Sequence, residues 1–261
     1  MRGYGSIRCI AVAASVATAS APAAAQMGPT EVHSVHCLHS CPVGAPATND
    51  LIFREIYTLS SNDATKMADW VAYRVTRQTI GGGEERRWAA DPWLDDEETL
   101  EPSDYAGAPQ ALRIDRGHQA PLASLSGTGL GAETNFLSNI TPQGSALNQG
   151  PWRLLEDAER AFARRAAEPL YVLTGPLYER DMPPLPRADE PHRVPSHYWK
   201  IVATADGRVS AFVMDTFMPR SAPFCATRVA VEEVERRSGL RVFPRLLARG
   251  FRPLDAELGC R

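Results

Sequence analysis

Two short segments carry residue types that could hydrolyse a phosphodiester bond. His118 lies in the heptapeptide DRGHQAP, and Asn148 begins NQGPWRLLE about thirty residues later. A histidine that is neutral near pH 7 can accept a proton from water, which is worth roughly 10²- to 10⁴-fold in rate. A hard ion such as Mg²⁺ prefers oxygen ligands and keeps several waters, so one amide oxygen can anchor it beside a phosphate. Together the two residues indicate a one-metal nuclease site.

Each of these residues also has a simpler interpretation. A lone histidine after a strand is commonly just hydrogen-bonded, and an asparagine shortly before Pro151 suits a helix N-cap. Gly117 is expected wherever the backbone must turn tightly, and Arg116 could pair with any carboxylate. Taken singly, the residues leave both interpretations open.

The elements around the two residues are predicted from apolar periodicity. Ala111, Leu112 and Ile114 predict a short strand that ends at the heptapeptide. A helix is expected to begin near Asn148, because apolar residues then follow at helical spacing. That stripe consists of Trp152, Leu155, Ala158 and Phe162. Residues 80–108 have no period and contain glycines, prolines and acids, which predicts a long functional loop.

The remaining pattern predicts strands with one final helix. Strands are expected at residues 51–59 and 70–79, a strand with a turn at 170–178, and a hairpin around Asp206-Gly207. Residues 229–237 predict a helix closed by Gly239. The fold class is therefore α+β with a mainly antiparallel sheet.

The N-terminus predicts an exported protein. Residues 1–25 combine two arginines, a short run of apolar and small residues, and an A-x-A-like cleavage site, which is typical of a signal peptide. Cleavage would leave Gln26 as the new N-terminus. The alternative, a membrane anchor, needs a longer and more apolar run. After cleavage, residues 26–48 form a polar arm, residues 49–261 form one domain, and no membrane attachment is expected.

Four cysteines remain after removal of the leader, and in an exported protein an even number favours disulfides. Of the three possible pairings, we favour Cys37 with Cys41 and Cys225 with Cys260. A zinc site is the alternative, because histidines interleave with the first two cysteines. These are His33, His36 and His39.

The charge limits what kind of partner the chain can have. The formal net charge is −3, and loss of the two leader arginines makes the mature chain more negative. Tight nucleic-acid binding comes mainly from neutralising phosphates. The balance therefore disfavours a tight binder, while an enzyme that must release its product needs less affinity.

Several ordered segments resemble one family over roughly residues 50–260. DRGHQAP, SNITPQ, NQGPWRLLEDAER, TGPLYERDM, WVAYRVT and VPSHYWK are similar to the DNA/RNA non-specific endonucleases, and within them to the secreted Serratia-type nucleases. This is the ββα-metal (His-Me finger) group with the DRGH signature. The resemblance implies a strand pair and one helix around the ion, with a large antiparallel sheet behind and flanking helices.

The resemblance also implies roles for individual residues. His118 would be the general base, Asn148 the single protein ligand of a hydrated Mg²⁺ (with Mn²⁺ as a substitute), and Glu156 the holder of metal-bound water. Arg86 would stabilise charge on the phosphate; its neighbour Arg87 leaves the choice between the two open. The other candidates near the substrate are Asn135, Asn139, Arg160 and Arg116, and Arg116 is expected to shape the motif together with Asp115.

The leading hypothesis is a secreted, Mg²⁺-dependent endonuclease acting on single- and double-stranded DNA and RNA and leaving 5′-phosphates. It implies backbone phosphates as the contacts, since no base-reading motif is present. The alternatives are a DNA-preferring nuclease or phosphodiesterase and a catalytically inactive nucleic-acid-binding relative. Some family members pair, so a homodimer is a further expectation.

Overall fold

The computed structural model describes Met1 and residues 31–82, 85–244 and 251–261. The expected cleavage site and Gln26 therefore lie outside the described residues, as does the rest of the leader after Met1. Within the described ranges, no helix is long and apolar enough to cross a lipid bilayer.

A twisted sheet of eight strands forms the body of the described chain. Its strands are β1 (Asp50–Phe53), β2 (Tyr57–Asn62), β3 (Met67–Val75), β6 (Leu170–Leu177), β7 (His197–Thr204), β8 (Arg208–Asp215), β9 (Arg228–Val229) and β10 (Arg252–Pro253). The order is β1-β2-β3-β6-β7-β8-β10, and β9 also pairs with β8. The pairs are antiparallel except β10 with β8. The predicted α+β class with a mainly antiparallel sheet is confirmed.

A second sheet and a set of short helices complete the described fold. Strands β4 (Ile114–His118) and β5 (Ile140–Gly144) pair with each other only. The α-helices are α1 (Ala108–Leu112), α2 (Leu122–Leu125), α3 (Ser145–Leu147), α4 (Arg153–Arg165) and α5 (Val231–Ser238). One π-helical turn, Asn148–Trp152, joins α3 to α4. Short 3-10 turns lie at Asp96–Glu98, Ser126–Thr128, Gly131–Asn135, Leu137–Asn139 and Phe224–Thr227.

Both faces of the large sheet are covered, which explains why its central strands are apolar at nearly every position. On β7, Tyr198 and Val202 face the cluster that contains Trp152 and Phe162 of the α4 side. Their neighbours in sequence point to the opposite cluster, which includes α5 and the Cys37–Cys41 segment. Helix α4 therefore packs on one face of the sheet, while α5 and the N-terminal arm cover the other.

Three predicted elements differ from the structure in kind, and the strand expected at residues 70–79 spans Met67–Val75. The run 51–59 forms two strands instead of one, because a turn closed by Arg54 N–H donating to the Tyr57 carbonyl (2.9 Å) folds it into a hairpin. Residues 170–177 form one continuous strand without a turn. There Gly175 lies directly against the Asp69 carbonyl and the Trp199 ring, so it serves close packing.

The third difference concerns the strand before the histidine. Ala111 and Leu112 end helix α1, and the strand begins only at Ile114 and includes the DRGH residues themselves. Arg113 separates the two elements with a left-handed backbone (φ 57°). Two-residue apolar patterns do not distinguish a helix end from a strand start.

Two turn predictions are confirmed. Asp206-Gly207 joins β7 to β8, and Gly207 has a φ of +86°. Helix α5 ends at Ser238, with Gly239 in the left-handed conformation (φ +75°) that favours glycine at a helix C-terminus.

The favoured cysteine pairing is confirmed. Cys37 bonds to Cys41, and Cys225 bonds to Cys260. Because Cys37 and Cys41 are bonded to each other, neither offers a thiolate to zinc, and the alternative zinc site is wrong. The second disulfide ties the C-terminal segment to the short turn after β8.

We expect the second disulfide to contribute more to stability than the first. It spans 35 residues, for which the loop-closure relation gives about 4 kcal/mol, whereas the 4-residue loop of Cys37–Cys41 gives about 2 kcal/mol. Denaturant unfolding of the Cys225→Ser/Cys260→Ser and Cys37→Ser/Cys41→Ser variants measures the two contributions. A larger loss for the Cys37/Cys41 pair would contradict this expectation.

Candidate active site

The strand pair β4–β5 and helix α4 form a ββα unit packed on the large sheet. His118, the last residue of β4, is paired with Ile140, the first residue of β5. Tyr198 of β7 anchors β5 to the large sheet. Its hydroxyl donates a hydrogen bond to the Pro142 carbonyl (2.5 Å) and accepts one from the Thr141 hydroxyl (2.8 Å). The sheet thereby sets the position of the strand that carries His118.

The Gly117 position needs a glycine because of a close neighbour. Gly117 lies inside β4, and a Cβ there would lie 2.6 Å from the Cβ of Gln143 on the facing strand. The expectation of a tight turn at Gly117 is wrong, and the glycine instead lets β4 and β5 approach closely next to His118.

The His118 ring is held by two contacts. Its Nε2 lies 3.0 Å from Oδ1 of Asn135, and its ring centroid lies 5.2 Å from that of Trp88. Since an amide oxygen only accepts hydrogen bonds, Nε2–H donates, and the neutral ring keeps the lone pair of Nδ1 free. Burial lowers the pKa of His118 to about 4, against the opposing effect of the Asn135 hydrogen bond, and the charge of Arg86 lowers it further. His118 is therefore a neutral base above about pH 5.

The backbone beside His118 is held by Asn139, whose side chain is fully buried. The Ala120 N–H donates to its Oδ1 (2.8 Å), and its Nδ2 donates to the carbonyls of Ala120 (3.0 Å) and Thr134 (2.8 Å). These bonds join the segment after His118 to the turn that carries Asn135. Asn139 thus faces the protein interior and not the substrate side.

Asn148 is not a helix N-cap. It has helical backbone angles at the start of the π-turn, where Gly150 (φ −116°, ψ −111°) interrupts the regular helix before Pro151. Its Nδ2 donates to Oδ2 of Asp115 (3.0 Å). Among the described residues nothing donates to Oδ1 of Asn148, so the amide oxygen is available as a ligand.

Asp115 organises this turn, which makes the expectation that it shapes the motif more specific. Besides Asn148, it accepts hydrogen bonds from the Ser145 hydroxyl (2.6 Å) and from Nε2 of Gln149 (2.8 Å). Its place two residues before Gly117 on the β4 strand puts the carboxylate against the α3–α4 connection. The only hint in the sequence is that an acid precedes RGH.

A groove runs between β4 and α4, and we call it the catalytic groove. His118, Asn148, Glu156 and Asp157 line it together with several arginines. Those arginines are Arg86, Arg116, Arg153, Arg160 and Arg220. Such a concentration of guanidinium groups suits a phosphodiester backbone.

The arginines of the groove are positioned by specific partners. Asp157 accepts hydrogen bonds from Arg153 (2.7 Å) and Arg160 (2.6 Å), and Arg160 also donates to Ser124. Arg116 donates to the Pro102 carbonyl (2.6 Å). Arg160 thus forms its ion pair within the groove with Asp157.

The structure separates the two neighbouring arginine candidates. Arg86 lines the catalytic groove and lies close enough to His118 to affect its pKa. Arg87 instead forms an exposed ion pair with Glu85 (2.9 Å) and does not line the groove. Arg86 is thus the candidate for contact with the phosphate.

Behind the groove lies a buried charge cluster around Lys200 that sequence analysis missed. The ammonium of Lys200 lies 3.7 Å from Glu156, 3.3 Å from Glu159 and 4.2 Å from the Trp152 ring centroid. Tyr73 donates to Glu159 (3.2 Å). Burial raises the pKa of Glu156, and the Lys200 charge opposes that shift. One signal was available: Lys200 is a lone cation in the apolar strand HYWKIVAT.

The fold brings most of the candidate site residues together. His118, Asn148, Glu156, Arg86, Arg116 and Arg160 line one groove. Asn135 and Asn139 lie behind it, and Arg87 lies outside it.

Several known nucleases are similar to this chain in sequence. The family model for the DNA/RNA non-specific endonucleases matches residues 39–249. The chain is 47% identical over 226 residues to a nuclease of Serratia marcescens, covering 84% of this chain and 85% of the relative. It is 30% identical over 229 residues to the mitochondrial endonuclease G of Homo sapiens, covering 79% and 73%.

A solved structure agrees on the fold. A chain in the crystal structure of the EndoG/EndoGI complex superposes with a TM-score of 0.68, at 23% identity, over 80% of this chain and 91% of that chain. The ββα architecture with a mainly antiparallel sheet is thereby confirmed. The chain belongs to the DNA/RNA non-specific endonuclease family.

Proposed function

We propose that this protein is a secreted endonuclease that uses one hydrated Mg²⁺ to hydrolyse phosphodiester bonds of DNA and RNA, single- or double-stranded, leaving 5′-phosphates. The observation that carries the proposal is the position of a neutral histidine and a free amide oxygen on the two sides of one arginine-lined groove. Neither residue could do this chemistry alone.

In the proposed reaction, Nδ1 of His118 accepts the proton of the attacking water. The new P–O bond forms as the bond to the 3′ oxygen breaks. Asn135 keeps the required tautomer by accepting from Nε2–H. Asn139 acts as a positioning residue through the backbone on either side. Arg86 neutralises charge that develops on the phosphate, and Arg116 and Arg160 bind it in the groove.

The residues on the α4 side fit a hydrated hard cation. Asp115 binds the amide nitrogen of Asn148 and so turns the oxygen outward, and Glu156 lines the same groove with a carboxylate that Lys200 helps to keep ionised. When bound, Mg²⁺ or Mn²⁺ would polarise the phosphate and stabilise the leaving oxygen. Asn148 is the proposed ligand, and Glu156 would accept hydrogen bonds from water on the ion.

Secretion is supported by the leader-like N-terminus and by the two disulfides. An extracellular or periplasmic location agrees with both. Phosphate groups of DNA and RNA are the proposed contacts, and a homodimer is proposed from the family resemblance.

We expect the purified protein to cleave plasmid DNA, single-stranded DNA and RNA in the presence of Mg²⁺ and to lose activity on chelation. The measurement is the initial rate on each substrate at equal nucleotide concentration, with and without EDTA, and with Mg²⁺ or Mn²⁺ added back. A strong preference for DNA would favour the narrower nuclease, and binding without turnover would favour the inactive relative. Full activity after exhaustive chelation would refute the metal role.

A further inference from the structure

A second cleft continues directly from the catalytic groove. Its volume is about 690 Å³, which is within the range of ligand sites. Gln149 and Arg220 line both cavities, and Arg113 and Phe217 line the second one alone. We call it the flanking cleft. A chain threaded through the catalytic groove past Gln149 would therefore enter it.

The cleft has two kinds of surface. Arg113 and Arg220 are exposed, and within the described part of the chain no carboxylate pairs with either guanidinium. The other wall includes Pro109, Ala146 and the ring of Phe217, which is 56% exposed. A free anion would contact only the two arginines. A nucleotide could contact both surfaces, because its phosphate fits the arginines and its base face fits the apolar wall.

Neighbouring residues hold the Phe217 backbone and contact its ring. Asp215 accepts a hydrogen bond from the Phe217 N–H (2.7 Å) and two from the Arg180 guanidinium (2.6 and 2.9 Å). That guanidinium lies 5.7 Å from the Phe217 ring centroid. These contacts restrict the segment that carries the ring, which reduces the conformational entropy lost when a base stacks on it.

The segment that carries Phe217 and Arg220 is packed against the catalytic turn itself. The Thr216 hydroxyl accepts a hydrogen bond from the Gly144 N–H (3.0 Å) at the end of β5. At Gly150, a Cβ would overlap the backbone of Arg220. On the other side of the cleft, the Arg113 carbonyl accepts from the Ser145 N–H (2.7 Å). Both walls are thus fixed relative to Asn148.

We propose that the flanking cleft is a subsite for a nucleotide of the substrate strand next to the scissile phosphodiester. Arg113 and Arg220 bind the flanking phosphate, and Phe217 stacks on its base. This inference rests on the proposed nuclease function. It predicts that the enzyme prefers substrates long enough to reach the cleft.

The test compares a dinucleotide with a single-stranded 12-mer for the variants Phe217→Ala and Arg113→Gln. We expect kcat/KM on the 12-mer to fall about 5- to 150-fold for Phe217→Ala, the range for loss of one base stack. The loss on the dinucleotide should be much smaller, and Phe217→Trp should restore the activity on the 12-mer. Equal losses on both substrates, or none on the 12-mer, would overturn the subsite.

The matched control is Arg165→Gln, which removes an exposed arginine at the far end of α4. Twelve residues at 1.5 Å per residue place it roughly 18 Å along the helix from Arg153, and we expect unchanged rates. Thermal unfolding checks that Phe217→Ala and Arg113→Gln are folded.

A measurement of oligonucleotide binding makes the test independent of catalytic turnover. Fluorescence anisotropy of a labelled 12-mer, measured in EDTA, should show weaker binding for Arg113→Gln. The slope of log K against log salt should fall by about 0.7, the value for one phosphate contact on a single strand. An inactive wild type would refute the proposed function, while the anisotropy result would still decide the subsite. An unchanged affinity and slope would refute the contact with Arg113.

Discussion

Replacing His118 with alanine is expected to lower kcat by about 10²- to 10⁴-fold, the contribution of a positioned general base. The reason is geometric: Asn135 occupies Nε2, so Nδ1 of the ring is the atom left to take a proton. The KM should change little, because the groove arginines that bind phosphate remain. The measurement is steady-state cleavage of plasmid DNA and of a defined oligonucleotide.

His33→Ala is the matched control, because His33 is an exposed histidine of the N-terminal arm. Its rate should equal that of the wild type. Undiminished cleavage by His118→Ala would remove the histidine from the mechanism.

The pH profile gives a second readout of the same role. Burial, assisted by the charge of Arg86, lowers the pKa of His118 to about 4. Protonation removes the lone pair of Nδ1, so kcat/KM of the wild type should fall as pH drops through about 4 and stay level from pH 5 to 6. A limb centred near 6.5 would show that the ring is solvated as in a free histidine.

The site was more predictable from the sequence than the strands around it. His118 and Asn148 were recognised because ordered motifs match a family, and the structure places both in one groove. The boundaries of β1, β4 and β6 were not recognised, because local patterns do not encode which partner a segment meets. Gly175 illustrates the point: it resembles a turn residue in sequence but packs between Asp69 and Trp199 within a strand.

The residues that position the catalytic groups were harder to find than the groups themselves. Asp115 acts across more than 30 positions of sequence, on Asn148. Lys200 comes from a strand on the large sheet and meets two acids of helix α4. Such contacts depend on how β4, β7 and α4 pack, so a single sequence without its fold does not reveal them.

The charge cluster around Lys200 links the stability of the fold to the protonation of Glu156 in the catalytic groove. Two carboxylates and one ammonium are buried together, and removal of one member of such a cluster leaves uncompensated charge. Loss of the Lys200 ammonium would let Glu156 gain a proton more easily, since burial already raises the pKa of Glu156 and the Lys200 charge opposes that shift. The large sheet therefore supplies an electrostatic partner to the groove as well as a platform for it.

Replacing Asn148 with alanine is expected to lower kcat/KM by at least about 10²-fold at limiting Mg²⁺, and excess Mg²⁺ should restore it only in part. The physical reason is that Asp115 holds the amide nitrogen of Asn148 and so orients its oxygen, and the substitution removes that oxygen together with its orientation. A Mg²⁺ titration of the cleavage rate measures the loss.

Two further variants, Asp115→Asn and Ser145→Ala, distinguish loss of the metal ligand from loss of its orientation. Asp115→Asn keeps the Asn148 oxygen but weakens the bond that aims it, so its Mg²⁺ midpoint should rise about 10- to 100-fold, the usual effect of a residue that orients a ligand. Ser145→Ala removes a different hydrogen bond to the same carboxylate (2.6 Å) and should shift the midpoint less. If Asn148→Ala kept the wild-type midpoint, the cation would have to be held elsewhere in the groove. The Mg²⁺ midpoint should shift most for Asn148→Ala, less for Asp115→Asn and least for Ser145→Ala. This order tests whether the amide oxygen or its neighbours anchor the ion.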